Sequence, residues 1–66
     1  MAAKNVIQFT FENGSSKKVY KVATRVNFQY LTTCPRYDIE CWLGANYKYI
    51  ARAIDSGFRL VEFHLI

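Results

Sequence analysis

Hydrophobic residues occupy every second position in the first part of the chain. Ile7, Phe9 and Phe11 alternate with mostly polar residues over residues 6–12. This period of two is typical of a β-strand that buries one face. The segment Asn-Gly-Ser-Ser at residues 13–16 follows, and its Asn-Gly pair tolerates the positive φ angles of a tight turn. The sequence therefore predicts a strand over residues 6–12 that ends in a β-turn.

The same alternation continues over residues 18–31, which the sequence predicts as a second strand. The apolar face of this strand holds Tyr20, Val22, Val26, Phe28 and Tyr30, and its polar face holds Lys21, Arg25, Asn27 and Gln29. Because the segment is long for a single strand, we expect a bend or bulge near residues 23–25.

The segment after a turn at residues 32–35 fits two structures. Residues 36–43 alternate between apolar and mostly charged positions, which predicts a third strand. The alternative is one long helix over residues 38–56, whose period is approximated by Ile39, Leu43, Tyr47, Ile50 and Ile54. Gly44 inside such a helix would cost about 1 kcal/mol, and Asn46 suits the start of a helix better than its middle. A strand followed by a shorter helix is therefore the preferred interpretation.

The clearest helical pattern begins at Asn46 or Tyr47 and continues to Ser56. Asn46 is a favourable N-cap because its side chain can accept hydrogen bonds from the first free N–H groups of a helix. A core-facing stripe with helical spacing follows, formed by Tyr47, Ile50, Ala51 and Ile54. Gly57 stands where the left-handed residue after a helix belongs, and residues 58–65 alternate again as a last strand.

These elements predict a single small α+β domain with the order β-β-β-α-β. Short connections favour an antiparallel meander of the first three strands, with the fourth strand parallel to the third. One helix would cover one face of the antiparallel sheet, with Ile50 and Ile54 in the core. The other face of the sheet, called the open face below, would be polar and solvated. Residues 1–4 are expected to form a frayed terminus.

The chain is short, apolar and basic. It has 66 residues, of which 52% are hydrophobic and 17% aromatic, and a formal net charge of +4. A domain of this size is stable by only a few kcal/mol, so a homodimer or a bound partner could supply further burial. No segment resembles a signal peptide or an apolar span of about 18 residues, and two cysteines, Cys34 and Cys41, do not make a secreted disulfide framework. We therefore expect a cytoplasmic protein with reduced thiols, a local disulfide being the alternative.

No group of residues forms a recognisable catalytic or metal-binding motif. His64 is the only histidine, so a nucleophile–base pair would require a cysteine to meet it in the fold. Two cysteines and one histidine are fewer than the roughly four ligands of a zinc site. Asp38 and Glu40 would be neighbours on one strand face, where solvated carboxylates beside Arg36 are the simplest interpretation. The sequence therefore predicts a protein without enzymatic activity, cofactor or metal.

Basic residues define two candidate binding surfaces. Lys21 and Arg25 share the open face of the predicted sheet. Lys48 and Arg52 are one helical turn apart, with Tyr49 between them, away from the core stripe of the helix. Tyrosine and arginine are frequent interface anchors, and lysine favours acidic partners. We therefore expect a protein-binding module whose partner has an acidic patch. A nucleic acid, with phosphates on the lysines and bases on Tyr49, is the alternative.

The C-terminal part of the chain, residues 26–65, resembles a known family. The relevant segments are Tyr-Asp-Ile-Glu-Cys-Trp at residues 37–42, Tyr-Lys-Tyr-Ile-Ala-Arg-Ala-Ile at residues 47–54 and Gly-Phe-Arg-Leu-Val-Glu-Phe at residues 57–63. In length, β-β-α-β order and the Gly-Phe start of the last strand, they resemble the small host RNA polymerase inhibitors of T7-like phages. That family has functional arginines on the last strand, where this chain has Glu62 and His64. The resemblance implies a phage-type inhibitor that docks on a host protein complex of the transcription or defence machinery, in the host cytoplasm, with Glu62 and His64 among its contact residues.

Overall fold

The computed structural model describes residues 4–66, which form three strands and three helices. In chain order these are β1 (Asn5–Asn13), β2 (Ser16–Thr24), α1 (Phe28–Thr32), α2 (Arg36–Asn46), α3 (Lys48–Asp55) and β3 (Arg59–Leu65). Both β2 and β3 pair antiparallel with β1, which gives the strand order β2-β1-β3. The α+β class and the antiparallel sheet are confirmed. The order β-β-β-α-β is wrong, because the helices lie between β2 and β3 and the last strand returns to the first. The expected frayed terminus, residues 1–4, lies outside the described residues except for Lys4.

β1 is the central strand, and its alternation produces the predicted inward face. Ile7, Phe9 and Phe11 are all fully buried. The predicted turn is also present, since Asn13 pairs with the first residue of β2 and Gly14 has a φ of 62°. A left-handed glycine at the first of two central positions is the arrangement of a type II′ turn, whose twist matches that of the strands it joins.

β2 ends at Thr24, so the prediction of a strand reaching residue 31 is wrong. The Thr24 hydroxyl accepts a hydrogen bond from the Val26 N–H at 3.1 Å, which turns the chain at the expected bend. Asn27 then caps α1, because its side-chain oxygen accepts from the Gln29 N–H at 2.8 Å. Such local side-chain hydrogen bonds compete with the strand ladder, and here the chain after the bend is helical.

Residues 36–43 belong to α2, so the predicted third strand is also wrong. Ile39 and Leu43 are buried and four positions apart, a spacing that fits one face of a strand and one face of a helix equally well. Glu40 is buried as well, and adjacent burial with Ile39 is typical of a helix face. Asp38 in the first turn adds a favourable interaction with the helix dipole.

α2 and α3 are separated by a single extended residue, Tyr47, with a φ of −133° and a ψ of 106°. Asn46, expected to cap α3, instead ends α2, and its side-chain amide donates to the Trp42 carbonyl at 2.8 Å. Gly44 lies inside α2 and faces α3, where an added Cβ would stand 3.8 Å from the Ala51 Cβ. The break at Tyr47 allows α3 to pack against α2.

The end of α3 is as predicted at Gly57, which has a φ of 98°. The N–H of Phe58 donates to the Ala53 carbonyl, and the N–H of Gly57 donates to the Ile54 carbonyl, both at 3.0 Å. These two hydrogen bonds define a Schellman motif, which satisfies the last carbonyls of the helix and directs the chain into β3.

A β-bulge in β3 changes which of its residues face the core. The register shifts by one residue at Val61, so that Phe63 lies opposite Phe9 and Leu60 lies opposite Phe11. Strict alternation over residues 58–65 would place Leu60 on the open face. Because of the bulge, Leu60 is buried.

The helices together cover one face of the sheet, and the core lies between the two layers. Its buried side chains are Ile7, Phe9, Phe11, Val22, Leu31, Ile39, Leu43, Ile50, Ala53, Phe58 and Leu60. Ile50 is fully buried as predicted, whereas Ile54 is only partly buried and faces Gly44 of α2. Within residues 4–66, no helix combines the length and apolar character needed to cross a lipid bilayer.

Candidate functional site

The open face of the sheet carries three of the predicted binding residues. Gln8 of β1 lies opposite Lys21 of β2 and His64 of β3, and the Nε2 atoms of Gln8 and His64 are 3.4 Å apart. Glu62 lies on the same face, opposite Thr10. Lys21, Glu62 and His64 are all exposed, so the structure brings them together on one surface.

Arg25 does not join Lys21 on this face. β2 ends at Thr24, and Arg25 lies in the bend that follows it. The predicted position of Arg25 required the strand to continue to residue 31. The hydrogen bond between Thr24 and Val26 ends the strand first and removes Arg25 from the sheet.

Lys48 and Arg52 lie on the exposed side of α3, one turn apart, with Tyr49 between them. Tyr49 is 50% exposed, but its ring centroid lies 5.4 Å from that of Tyr20 of β2 and 6.0 Å from that of Tyr47. Tyr49 therefore joins α3 to the sheet and presents the rest of its ring to solvent.

Tyr49 is one member of a continuous chain of aromatic rings. Neighbouring centroids are 5.4 to 6.3 Å apart in the order Phe28, Phe63, Phe9, Trp42, Tyr47, Tyr49, Tyr20 and Phe11. Offset and edge-to-face pairs of this kind contribute about 0.5–1.5 kcal/mol each beyond the area that they bury. The chain of rings therefore fixes the position of α3 on β2.

The packing of α3 on β2 creates a surface that the sequence pattern does not reveal. Lys18 and Tyr20 lie on the helix side of β2, where Tyr20 meets Tyr49. The Nζ atom of Lys18 lies 5.0 Å from the centre of the Phe58 ring, in a cation–π contact. The basic–aromatic surface is defined here as Lys18, Tyr20, Lys48, Tyr49 and Arg52. The alternation of β2 predicts the face of the sheet on which Tyr20 lies, but only the tertiary structure shows that Tyr49 packs against it.

The carboxylates expected to be neighbours on a strand lie on different sides of α2. Asp38 is exposed and Glu40 is buried. The Glu40 carboxylate accepts a hydrogen bond from the Leu60 N–H at 2.8 Å and lies 3.7 Å from the Arg59 guanidinium. Glu40 therefore ties α2 to the outer edge of β3, which is a structural role.

The cysteines are free thiols that lie apart from His64. Cys34 follows α1 and is half-buried, and Cys41 is exposed on α2. Both lie on the helix side of the sheet, whereas His64 lies on the open face. Tyr37, one turn before Cys41, has a raised pKa because of a hydrogen bond and an electrostatic interaction with the Cys41 side chain. The Tyr37 phenol is therefore neutral at neutral pH.

Two shallow cavities lie on the helix side of the molecule. One, of about 210 Å³, is lined mainly by apolar side chains of α1 and α2, among them Leu31, Ile39 and Trp42. The other, of about 350 Å³, lies between α2, α3 and β3, and its lining includes Glu40 and Arg59. Neither cavity contains His64. In the described part of the chain, no three His, Cys, Asp or Glu side chains converge as metal ligands.

Comparisons with protein-family models, with curated proteins and with solved structures found no match to this chain. The β-β-α-β order behind the resemblance to the phage polymerase inhibitors differs at residues 37–42, which are helical, while Gly57-Phe58 does precede the last strand. A functional proposal therefore depends on the surfaces of this chain.

Proposed function

We propose that this protein is a small non-enzymatic binding module that docks on an acidic surface of a partner protein. The observation that supports the proposal is the basic–aromatic surface, where three exposed cationic side chains lie on the same two elements, β2 and α3, as the Tyr20–Tyr49 pair. Tyrosine and arginine are enriched among residues that dominate binding energy, because they combine large apolar contact area with hydrogen-bonding groups. A tyrosine already held by packing loses little further side-chain entropy on binding.

The distribution of charge favours an acidic partner. β2 contains Lys17, Lys18 and Lys21 and no carboxylate, and α3 adds Lys48 and Arg52 beside it. Of the acidic residues, Glu12 of β1 lies opposite Lys17, and the others stand on α2, at the end of α3 and on β3. A positive surface of this kind accelerates association with an acidic partner and weakens association with a basic one.

The separation of the reactive side chains supports a role without catalysis. A cysteine nucleophile needs a base within hydrogen-bonding distance, and His64 is the single histidine of the chain. Cys34 and Cys41 lie on one side of the sheet and His64 on the other. Bond-making chemistry between them would require the sheet to be opened.

The biological role that we propose is inhibition by occlusion of a functional surface. The resemblance to phage inhibitors of host RNA polymerase suggests the class, a phage-type protein acting in the host cytoplasm on a transcription or defence complex. A protein of 66 residues has room for one standard interface, and such an interface would cover much of its basic side. Covering an acidic site on the partner is then the simplest mechanism of inhibition.

A second candidate function is nucleic-acid binding, which the combination of tyrosine rings and lysines favours. The Tyr20 and Tyr49 rings are tilted by 55° and pack against each other, so part of each ring is already covered. Bases stack on exposed ring faces, which makes this pair a poorer platform than a single free tyrosine. Protein binding is therefore the first proposal.

Affinity capture from a bacterial lysate, with mass spectrometry as the readout, tests the proposal. We expect the wild-type protein to enrich a protein with an acidic surface and the double variant Lys48→Gln with Arg52→Gln to lose it. The matched control is Lys4→Gln with Arg36→Gln, which removes the same charge from exposed positions outside the surface. Equal loss with both variants would show that net charge alone drives capture and would contradict the proposed surface.

Titration with single-stranded and duplex nucleic acid separates the two candidate functions. Binding at about 50 mM salt that falls steeply as salt is raised, with a constant log–log slope, would favour the nucleic-acid function. If the protein instead binds another protein, we expect neither nucleic acid to bind at this salt concentration.

A further inference from the structure

The two edges of the sheet are built differently. The outer edge of β3 is interrupted by the bulge at Val61 and covered by α2, since the Leu60 N–H donates to the buried Glu40 carboxylate at 2.8 Å. β-bulges and covering side chains are known devices that prevent the addition of a further strand. The edge formed by β3 is therefore blocked at Leu60 and Val61, which leaves only a short segment after the bulge.

The edge formed by β2 is long, regular and open. Its pairing with β1 runs without a register shift from Ser16 to Thr24. The pair that closes a two-residue turn is hydrogen bonded, and pairs then alternate along an antiparallel ladder. The backbone N–H and C=O groups of Lys17, Val19, Lys21 and Ala23 consequently point away from β1. Among residues 4–66, no backbone group donates to or accepts from these outward groups.

The side chains along this edge differ between the two faces of the sheet. Lys17 and Lys21 lie on the open face and are exposed, with the half-exposed Val19 between them. On the helix side, Lys18 and Tyr20 lie along the strand, and the Tyr49 ring is 5.4 Å from that of Tyr20. A strand added to this edge would therefore place one set of side chains beside two lysines and Val19, and the other set beside Lys18 and two tyrosine rings.

We propose that β2 accepts an extended segment of the partner protein as a fourth strand, and that this segment alternates acidic and apolar residues. The acidic residues would pair with Lys17 and Lys21 across the strands, and the apolar residues would lie against Tyr20 and Tyr49. Main-chain hydrogen bonds would supply affinity and the alternating side chains would supply specificity. The inference deepens the proposed function, on which it rests, by naming how the acidic partner is bound.

A second copy of this chain is disfavoured at this edge in one antiparallel register of β2. That register sets Lys17 of one copy opposite Lys21 of the other, and like charges directly opposite each other are destabilising. Lysines on edge strands protect against self-association for this reason. An acidic segment removes that repulsion, so charge selects a foreign strand over a second copy.

The test uses the intact protein and a synthetic peptide about as long as β2 that alternates glutamate and valine. We expect binding by calorimetry at low salt. Two control peptides isolate the interactions: one has lysine in place of glutamate, and one keeps the glutamates but is N-methylated at alternate residues. N-methylation removes the main-chain donors without changing charge, and we expect it to weaken binding by at least about tenfold. Equal binding of the methylated and unmethylated peptides would overturn the inference.

Amide hydrogen exchange gives a second readout that does not depend on peptide chemistry. In the free protein we expect the outward amides of Lys17, Val19, Lys21 and Ala23 to exchange quickly. Addition of the peptide should protect these four and leave the inward amides of β2 unchanged. Protection confined to α3, or spread evenly over the chain, would show that the peptide does not bind as a strand.

Variants of β2 separate strand addition from general charge attraction. Val19→Pro removes one outward N–H and leaves the hydrogen bonds to β1 in place, since edge strands tolerate proline at such positions. We expect loss of peptide binding, with the matched variant Val19→Ala retaining it, and circular dichroism reports whether each variant is folded. Lys17→Gln with Lys21→Gln should weaken binding by about threefold to tenfold. If Val19→Pro does not fold, the exchange pattern decides the question.

Failure of this inference can be distinguished from failure of the proposed function. Peptide binding that depends on Lys48 and Arg52 but not on the outward amides would leave an acidic-protein docking module without strand addition. Capture of nucleic acid in place of a protein partner would instead reject the proposed function itself.

Discussion

Glu40 offers the sharpest test of how this small domain is held together, because its carboxylate joins α2 to β3. The residue is 8% exposed, and its carboxylate accepts from the Leu60 N–H at 2.8 Å. Removal of the acceptor in Glu40→Ala leaves the Leu60 N–H without a partner in a buried position. That loss costs about 1–3 kcal/mol, with charged acceptors at the upper end of the range.

The ion pair between Glu40 and Arg59 contributes much less. The two groups are 3.7 Å apart, and the Arg59 side chain is 65% exposed. Exposed pairs of this kind contribute about 0–1 kcal/mol, since solvent screens them. Glu40→Gln keeps a side-chain oxygen for the Leu60 N–H and removes only the charge. We therefore expect Glu40→Ala to destabilise the protein by about 2 kcal/mol, and Glu40→Gln and Arg59→Gln by less than about 1 kcal/mol each.

Thermal and urea unfolding of the three variants measure this ranking. A loss of about 2 kcal/mol corresponds to a decrease in melting temperature of roughly 8–16 °C for a domain of this size. If Glu40→Gln and Arg59→Gln were as destabilising as Glu40→Ala, the charge rather than the hydrogen bond would hold α2 on β3. If Glu40→Ala lost less than about 0.5 kcal/mol, the edge of β3 would not depend on this contact at all.

Three further predictions concern the core and the helices. Ile50→Ala should lower the free energy of unfolding by about 2–5 kcal/mol, because Ile50 is fully buried. Ile54→Ala should lower it clearly less, because Ile54 is partly exposed. Equal losses in urea unfolding would contradict this orientation of α3. Gly44→Ala should raise stability by up to about 1 kcal/mol, because alanine is the better helix former. The new Cβ would lie 3.8 Å from side-chain atoms of α3, which is an ordinary van der Waals contact. A lower melting temperature would contradict that packing. Cys41→Ala should lower the pKa of Tyr37 towards its ordinary value, because the hydrogen bond to Cys41 is the main cause that raises it. An ultraviolet titration measures this pKa, and an unchanged value would argue against the contact.

The parts of the fold that follow from short-range patterns could be predicted from the sequence. The inward face of β1, the turn at Gly14 and the helix end at Gly57 each depend on residues within a few positions of one another. The burial of Ile50 followed from its place on a helical stripe. In each case one short sequence pattern was enough to predict the structure, and the same residues did not also fit a different structure.

The errors arose where two local rules compete. Ile39 and Leu43 satisfy the period of a strand and of a helix, so the alternation of residues 36–43 was not decisive. The Thr24–Val26 hydrogen bond ends the second strand and Asn27 caps a helix after it, although the alternation continues past both residues. The bulge at Val61 moved Leu60 into the core, and bulges have no reliable signature in a single sequence.

The candidate site was only partly predictable because it depends on how elements pack. Lys48, Tyr49 and Arg52 could be assigned to one side of a helix from their spacing. The contact between Tyr49 and Tyr20 joins residues that are far apart in the chain and requires the strand order and the helix position together. Arg25 was misplaced for the same reason that β2 was predicted to be too long.

The chain of aromatic rings has an optical consequence. Trp42 is the only tryptophan, and it lies within the chain, 6.3 Å from Tyr47, which is itself 6.0 Å from Tyr49. At such separations tyrosine transfers excitation energy efficiently to tryptophan. Light absorbed at the partly exposed Tyr49 is therefore emitted largely by Trp42, on the helix side of the sheet. Tyr20 and Tyr49 of the basic–aromatic surface are therefore two of the five tyrosine donors of a built-in fluorescence signal, whose acceptor, Trp42, packs beside the core.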